Sequence, residues 1–422
     1  MDVLHSASRF YPTRPHRPFT PLRNLSRRFI LRSSLPFPEQ KAKYHRELRA
    51  SVDAVERACR LCVDVHKSLF STDGRVVEKT DLTPVTVADF GVQALISLEL
   101  GKLFPSIPLV AEEDSAFVRS NNLENSVLNV VTDKTSFRDK QLTQADVLEA
   151  IDRGGKDAFT FGPKPATYWV LDPIDGTKGF VKGGEALYVG CHGDLMLILE
   201  EGLALVVEGE IVVGVMGCPN WQEVYSNKST IEVPEYEKIL TGSGIIMFAH
   251  VGCGTWTKRL SDALSGMAKM SDSWTRCSVD GLCLVPEARI CISDNQTWET
   301  WPLSAVFSAT TNAETIENNQ ILLLPICCGS LTKYLMVAIG RASVYIHPAR
   351  LQNVIQSWDH AVGIICVHEA GGKVTDWRGS KLDLAADQTE RRVIYPSGGI
   401  LVTNGSLHSK IEEMISSSSL VV

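Results

Sequence analysis

The chain has no run of residues that could cross a membrane. Hydrophobic residues make up 44% of its 422 positions, yet the longest candidate stretch, Leu195 to Val215, is broken by Glu200, Glu201, Glu208 and Glu210. A spanning helix needs about 20 consecutive apolar residues. Basic patches interleaved with aromatics are missing outside the extreme N-terminus, and the net charge is −7, which argues against a nucleic-acid polymer as partner of the folded part. The eleven cysteines include one C-x-x-C, Cys59 and Cys62, and no second one to complete a zinc site. Cys327 and Cys328 are neighbours and bridge only with strain. Acid is nearly absent from the first stretch of chain. From Met1 to Pro38 there is Asp2 alone, against Arg9, Arg14, Arg17, Arg23, Arg27, Arg28 and Arg32, among many Ser and Pro. No apolar core of secretory length follows the first charges, so residues 1–40 read as an organelle transit peptide. The expected destination is the mitochondrion, with the chloroplast as alternative.

Beyond that arm the apolar and charged fractions are those of an ordinary globular protein. Leu48, Val52, Val55, Cys59, Cys62 and Leu69 recur at helical spacing and predict an amphipathic helix over Lys43–Phe70, in which the two cysteines are core residues. A second helix is expected from about Ala88 to Leu103, a strand end at Leu109-Val110 and a buried strand at Tyr168–Leu171. Leu203–Val207 and Ile211–Met216 predict a hairpin turning at Glu208-Gly209-Glu210. Residues 115–165 are polar and weakly patterned, with one helical piece near Ala145–Ile151. Past residue 235 short apolar runs alternate with helical stretches, and Trp358–Glu369 is read as the last long helix, stopped by Gly371-Gly372. The pattern predicts a layered α+β region over 41–235 and an α/β region over 236–422.

Carboxylates concentrate in four places. In Asp172-Pro173-Ile174-Asp175-Gly176-Thr177 a buried strand delivers Asp172, Pro173 holds that residue extended, and a turn is expected to return Asp175 alongside it. Two acids and a hydroxyl so close repel unless a cation intervenes, and hard oxygen donors without nearby Cys or His favour Mg²⁺ over zinc. The plainer alternative is a turn in which the acids bond only backbone. Thr86-x-x-Asp89 stands at a helix start, where a capping box explains it equally well. Glu112-Glu113-Asp114 follows a strand end, as solvated loops often do. Ser357-Trp358-Asp359 opens the late helix, with Ser357 as expected cap and Asp359 favoured by the helix dipole.

Taken together, DPIDGTKGF from Asp172 to Phe180, Gly217-Cys218-Pro219-Asn220, Lys333-Tyr334, WDHAVG from Trp358 and HEAGG from His368 resemble the lithium-sensitive, inositol-monophosphatase-like phosphatases. More narrowly they are similar to the 3′(2′),5′-bisphosphate nucleotidases, above all the plant organellar branch. The resemblance runs from about residue 45 to 415 and implies a five-layered αβαβα sandwich. It also implies two or three Mg²⁺ held by Glu112, Asp172, the Ile174 carbonyl, Asp175 and Asp359. Asp89 and Thr177 would hold and deprotonate the attacking water. Ser330, Lys333, His347, Thr177 and Asp359 would meet the substrate, adenosine 3′,5′-bisphosphate or its sulfated form, in a monomer inhibited by Li⁺. Three positions depart from the family. Ser293-Asp294-Asn295, beside Trp298 and Trp301, stands where a serine and histidine meet the adenine. His347, with Arg350 further on, stands where an arginine is expected near the second phosphate. Gly190–Glu201 reads as an inserted dozen residues, either added structure or a retained intron, expected to bulge from a sheet edge with Leu195–Leu199 as an aggregation hazard. Alternatives within the same fold are an inositol-phosphate or sugar bisphosphatase. Outside catalysis, a nucleotide-binding regulatory homologue is the alternative.

Overall fold

The computed structural model describes residues 35–69, 76–78, 84–135, 141–176, 200–221, 244–260, 273–293, 296–297, 300–301, 303–310, 321–326, 329–349 and 354–417. They belong to one compact unit, Leu35–Val422. The basic arm, Thr177, Asp294, Asn295, Trp298, Cys327, Cys328, Arg350 and Gly190–Leu199 lie outside the described residues, as does the Thr86 side chain.

Helix α1 (His45–Leu69) precedes a small antiparallel pair, β1 (Val76–Glu78) and β2 (Pro84–Thr86), and α2 (Val87–Leu103) follows at once. Strand β3 (Leu109–Ala111) leads into helices α3 (Ser115–Ser120), α4 (Glu124–Thr132) and α5 (Gln144–Asp152). Then come β4 (Tyr168–Asp175), β5 (Glu200–Val207), β6 (Glu210–Cys218), β7 (Ile245–His250), β8 (Gly254–Arg259) and β9 (Thr275–Arg276). These strands form a seven-stranded sheet in the order β3-β4-β5-β6-β7-β8-β9, parallel between β3 and β4 and antiparallel thereafter. The rest of the chain supplies β10 (Arg289–Ser293), α6 (Ser304–Thr310), β11 (Leu322–Ile326), α7 (Leu331–Ala338), β12 (Val344–Pro348), β13 (Ile355–Gln356), α8 (Trp358–Glu369), β14 (Lys373–Asp376), β15 (Val393–Ile394), β16 (Gly399–Thr403) and α9 (His408–Ser416). A five-stranded mixed sheet runs β11-β10-β12-β16-β14, and β13 pairs with β15.

Alternation along the strands builds the layers. Trp169, Leu171, Leu203, Leu205, Val213 and Val215 face α1 and α2. Their neighbours Val170, Ala204, Val206 and Met216 face α7 and α8. Across those two helices Cys291, Tyr345, Ile400 and Val402 close the same core from the second sheet. Ile290, Val344, Ile346 and Leu401 point the other way, onto α6 and α9. Helices, sheet, helices, sheet and helices are the expected αβαβα sandwich. At Gly363 an added Cβ would overlap the Tyr334 ring, so glycine lets α7 and α8 pack closely between the sheets.

Two local expectations need correction. Helices α3 and α4 occupy part of the stretch read as weakly patterned; the apolar side chains they bury fully, Val118, Val127 and Val131, cluster with Phe90 and Ala94 of α2 and are too few to set a period. The short helix α9 buries Ile411 and Ile415 and follows α8, which remains the last long one. Glu200 and Glu201 do not bulge from an edge. They open β5, which lies between β4 and β6 inside the sheet.

Candidate active site

The first two acids stand at the end of β4. Side chains three apart on a regular strand point to opposite faces. Here the ladder slips: Asp172 is paired with Gly202 but Asp175 with Glu200. Three steps on one strand against two on the other make a bulge, which returns Asp175 to the side of Asp172. Pro173 has no N–H to give a ladder, so the irregularity falls where the sequence cannot pair. The expected turn at Pro173 is therefore a bulged continuation of the strand, and the chain leaves it at Gly176, whose φ is 75°.

Asp359 joins them from the first turn of α8. Ligand oxygens of Asp172, Asp175 and Asp359 lie within 4.8 Å of one another. Ser357 does not cap α8 with its side chain, as the sequence suggested. Its hydroxyl donates to the Arg391 carbonyl at 2.8 Å, and its N–H to the Arg392 carbonyl at 2.7 Å. The helix start is thus pinned to a loop near the C-terminus. Asp175 accepts from the Leu331 N–H at 2.5 Å, at the beginning of α7. Gly329, with φ of 56°, makes this approach possible, since a Cβ there would overlap the Asp175 carboxylate.

So many acids in one buried place perturb each other. Burial pushes Asp172 well above the ordinary carboxylate range, and Asp175, Glu112, Asp359 and Asp89 add to the shift. Burial likewise raises Asp359, with Asp175 and Glu112 contributing. Asp175 rises only to about 6, because the Leu331 N–H and the Lys333 ammonium offset part of its burial. Asp172 Oδ1 is buried without a hydrogen-bond partner. An orphaned carboxylate oxygen facing two more carboxylates is the environment a hard divalent cation completes. The donor set is all oxygen, so these residues fit Mg²⁺.

Asp89, buried on α2, is within electrostatic reach of Asp172. Of the acidic triplet, Glu112 is half-buried and acts on Asp172, Asp175 and Asp359. Asp114 instead caps α3, accepting from the Ala116 N–H at 2.7 Å. Ile174 is buried within β4.

The predicted substrate side gathers around Tyr345. Its hydroxyl lies 3.4 Å from Ser330 Oγ and 3.2 Å from His347 Nδ1, and the Lys333 ammonium stands 5.9 Å from its ring centroid. Lys333 also donates to the Gly329 carbonyl. The His347 ring is 5.3 Å from that of His360, which accepts or donates through Nδ1 to the Tyr334 hydroxyl at 3.0 Å. His360 follows Asp359, so the acid cluster and the polar cluster share a wall.

A model of the inositol monophosphatase family matches residues 48–419. The chain belongs to that family. An Arabidopsis thaliana protein named as a mitochondrial 3′(2′),5′-bisphosphate nucleotidase is 58% identical over 421 residues, covering 99% of each chain. The 3′,5′-bisphosphate nucleotidase AHL of the same plant is 32% identical over 391 residues, 86% of this chain and 94% of that one. Among solved structures, the extragenic suppressor protein SuhB of Bartonella henselae superposes with a TM-score of 0.52 at 18% identity, over 88% of this chain and 99% of SuhB, which speaks to fold alone.

Two groups at this family member's site escaped sequence reasoning. Glu200 is buried opposite Asp175, where burial and Asp175 hold it well above the usual range while Thr332 and Lys333 pull it down. Its signal was an acid pair beside an apolar strand, the same pattern as Glu112. Gln93, the buried amide one helical turn beyond Asp89, donates to the Glu113 carbonyl at 2.7 Å and the Ile151 carbonyl at 2.9 Å, and accepts from the Glu113 N–H at 2.8 Å. A glutamine flanked by Val92, Ala94, Leu95 and Ile96, with an amide that must be hydrogen-bonded if buried, was its signal.

Proposed function

We propose that this chain is a magnesium-dependent phosphatase that removes the 3′-phosphate of adenosine 3′,5′-bisphosphate to give AMP and phosphate, and that also accepts the sulfated nucleotide. The observation that carries the reading is the convergence of Asp172, Asp175 and Asp359 beside Lys333 and the Ser330–Tyr345–His347 cluster. The names of the plant relatives, one of them full-length at 58% identity, support the nucleotide over an inositol phosphate.

Glu112, Asp172, the Ile174 carbonyl, Asp175 and Asp359 would hold the ions. Bound divalent cations supply charge neutralisation at the phosphoryl oxygens and lower the pKa of water. The chain's own residues do the rest. Asp89 takes a proton from the attacking water, with Thr177 relaying it. Both α7 and α8 direct their positive N-terminal ends at the site, which favours a phosphate there. Lys333 and His347 bind the second phosphate, and Ser330 holds Tyr345 in place beside them. The relative named as mitochondrial and the Arg-rich arm both favour an organelle, with the mitochondrion as the specific proposal. No helix among the described residues is long and apolar enough to cross a membrane.

The test is phosphate release from adenosine 3′,5′-bisphosphate with Mg²⁺, with and without Li⁺. Mg²⁺-dependent release that Li⁺ suppresses supports the proposal. Turnover of inositol monophosphate in its place moves the substrate within the family. Turnover of neither, with nucleotide affinity retained in Asp359→Asn, would make the chain a binder.

A further inference from the structure

Glu112 and Asp359 arrive from distant parts of the chain, and neither is fully buried. The three aspartates lie in one group by the distances between their ligand oxygens, and Glu112 lies outside it. Its usefulness to a cation therefore depends on what fixes the loop after β3 relative to the start of α8.

On one side the loop is fixed by Gln93, through its two hydrogen bonds to the Glu113 backbone, while its third bond, to the Ile151 carbonyl, ties the amide to α5. On the other it is fixed by Arg392. Arg392 Nη2 donates to the Glu112 carbonyl at 3.3 Å, and Nη1 to the Gly154 carbonyl at 3.4 Å. The Gly154 carbonyl also accepts the Ala111 N–H at 2.8 Å, at the end of β3. The same guanidinium lies 4.8 Å from the centroid of the Trp358 ring, immediately before Asp359. Through its own carbonyl Arg392 holds the Ser357 N–H at 2.7 Å. Its backbone N–H is anchored to Asp387 Oδ2 at 2.9 Å. Its ion pair with Glu390 is long, 3.9 Å from Nε. One planar fork thus reaches the loop of one acid while its face and its carbonyl hold the helix start of the other. A lysine offers no such fork.

We propose that Arg392 is a positioning residue that fixes Glu112 relative to Asp359 and so sets how tightly the acid cluster holds a divalent cation. This rests on the reading that the cluster binds such a cation. Groups that orient ligands from outside typically change metal affinity by about 10–100-fold when removed.

The experiment is a calorimetric titration of the full chain with Mn²⁺, without substrate, on wild type, Arg392→Met, Arg392→Lys and Glu390→Gln. Metal-free melting curves run in parallel. Arg392→Met is expected to weaken Mn²⁺ binding by about 10–100-fold, Arg392→Lys to recover part of the loss, and Glu390→Gln to match wild type. In turnover, the Mg²⁺ concentration for half-maximal rate should rise in Arg392→Met while the rate at saturating Mg²⁺ returns towards wild type. A merely structural role would not give that saturable recovery. An unchanged Mn²⁺ affinity in a folded Arg392→Met overturns the proposal. If that variant does not fold, an Arg392→Lys affinity equal to wild type overturns it. Wild type that takes up no Mn²⁺ would overturn the cation reading itself, and this inference with it.

Discussion

Glu200 and Glu201 are neighbours on β5, both buried, and they face opposite sides of the same sheet. Glu200 meets Asp175, Thr332 and Lys333. Glu201 meets α1, accepting from the Cys59 thiol at 3.0 Å and from Cys62. Burial raises both acids. Their surroundings differ in kind. On the Glu200 face further carboxylates converge, and Asp359 and Glu112 keep part of their surface open. On the Glu201 face an acid sits among thiols that burial pushes up well beyond their ordinary value, beside Val55 and within the apolar core between α1, α2 and the sheet. A perturbed acid is therefore not by itself a sign of chemistry. Convergence of several acids, with a way in from solvent, is what separates a site from a polar defect in a core.

The sharpest way to break this contrast is Asp172→Asn. If the open face is catalytic, phosphate release should fall by roughly 10³-fold or more, since charge stabilisation worth several kcal/mol is lost. The metal-free protein should meanwhile become more stable at pH 8, because a buried charge among like charges is gone. Mg²⁺ at 100 times its dissociation constant should stabilise wild type by about 2.7 kcal/mol, read as a raised melting temperature, and should do so far less in the variant. A variant that keeps most of its turnover would put the reacting centre elsewhere.

Lys333→Met is a smaller perturbation of the same face. Its ammonium stands between Asp175 and the Tyr345 ring, and in the proposed reaction it meets phosphate. A charge-assisted contact contributes about 1.5–3 kcal/mol, so KM for the bisphosphate should rise by roughly 10-fold or more. The pH dependence should move as well, because Asp175 loses a neighbour that favours its charged form. Michaelis profiles between pH 6 and 9 would show it, and an unchanged KM would remove Lys333 from the substrate side.

Legibility followed locality. The long helices α1 and α2 were readable to within about two residues, α1 because its apolar stripe is carried by the segment itself, α2 because a long apolar run buried on every face has room only for a helix. Short α3 and α4 were not, since one or two apolar residues make no period and only the wall of α2 makes them useful. The acids Asp89, Glu112, Asp172, Asp175 and Asp359 could be picked out because each follows or opens an apolar segment and together they resemble a family pattern, although β4 runs on past Asp172 to Asp175. The bulge that puts Asp172 and Asp175 on one side depends on how β5 pairs, and Pro173 hinted at a turn instead. Arg392 stayed invisible for the same reason. Its partners at Glu112, Gly154 and Trp358 lie far off in sequence, and nothing in the dipeptide Arg391-Arg392 announces them.

The least disruptive test changes the closed face. Glu201 titrates ordinarily near 4.5 and is pushed to about 7 by burial, with its two thiol donors holding it back from rising further. Between those values the folded chain binds more protons at this site than the unfolded chain does. Stability from this group is therefore fully present below about pH 4.5, falls as pH rises through 7, and levels off above. The difference of about 2.5 units corresponds to at most about 3.4 kcal/mol. Glu201→Gln cannot titrate, so it should lose that part of the slope between pH 5 and 8, read as urea midpoints at the two ends of the range. Its absolute stability is a poorer guide, because the amide brings N–H donors that a core of thiols satisfies badly. Turnover should stay within about twofold, since the group points away from Asp175. Loss of turnover with an unchanged slope would mean that the two faces of β5 communicate through the strand, and the division between reactive and merely buried acid would have to be drawn elsewhere.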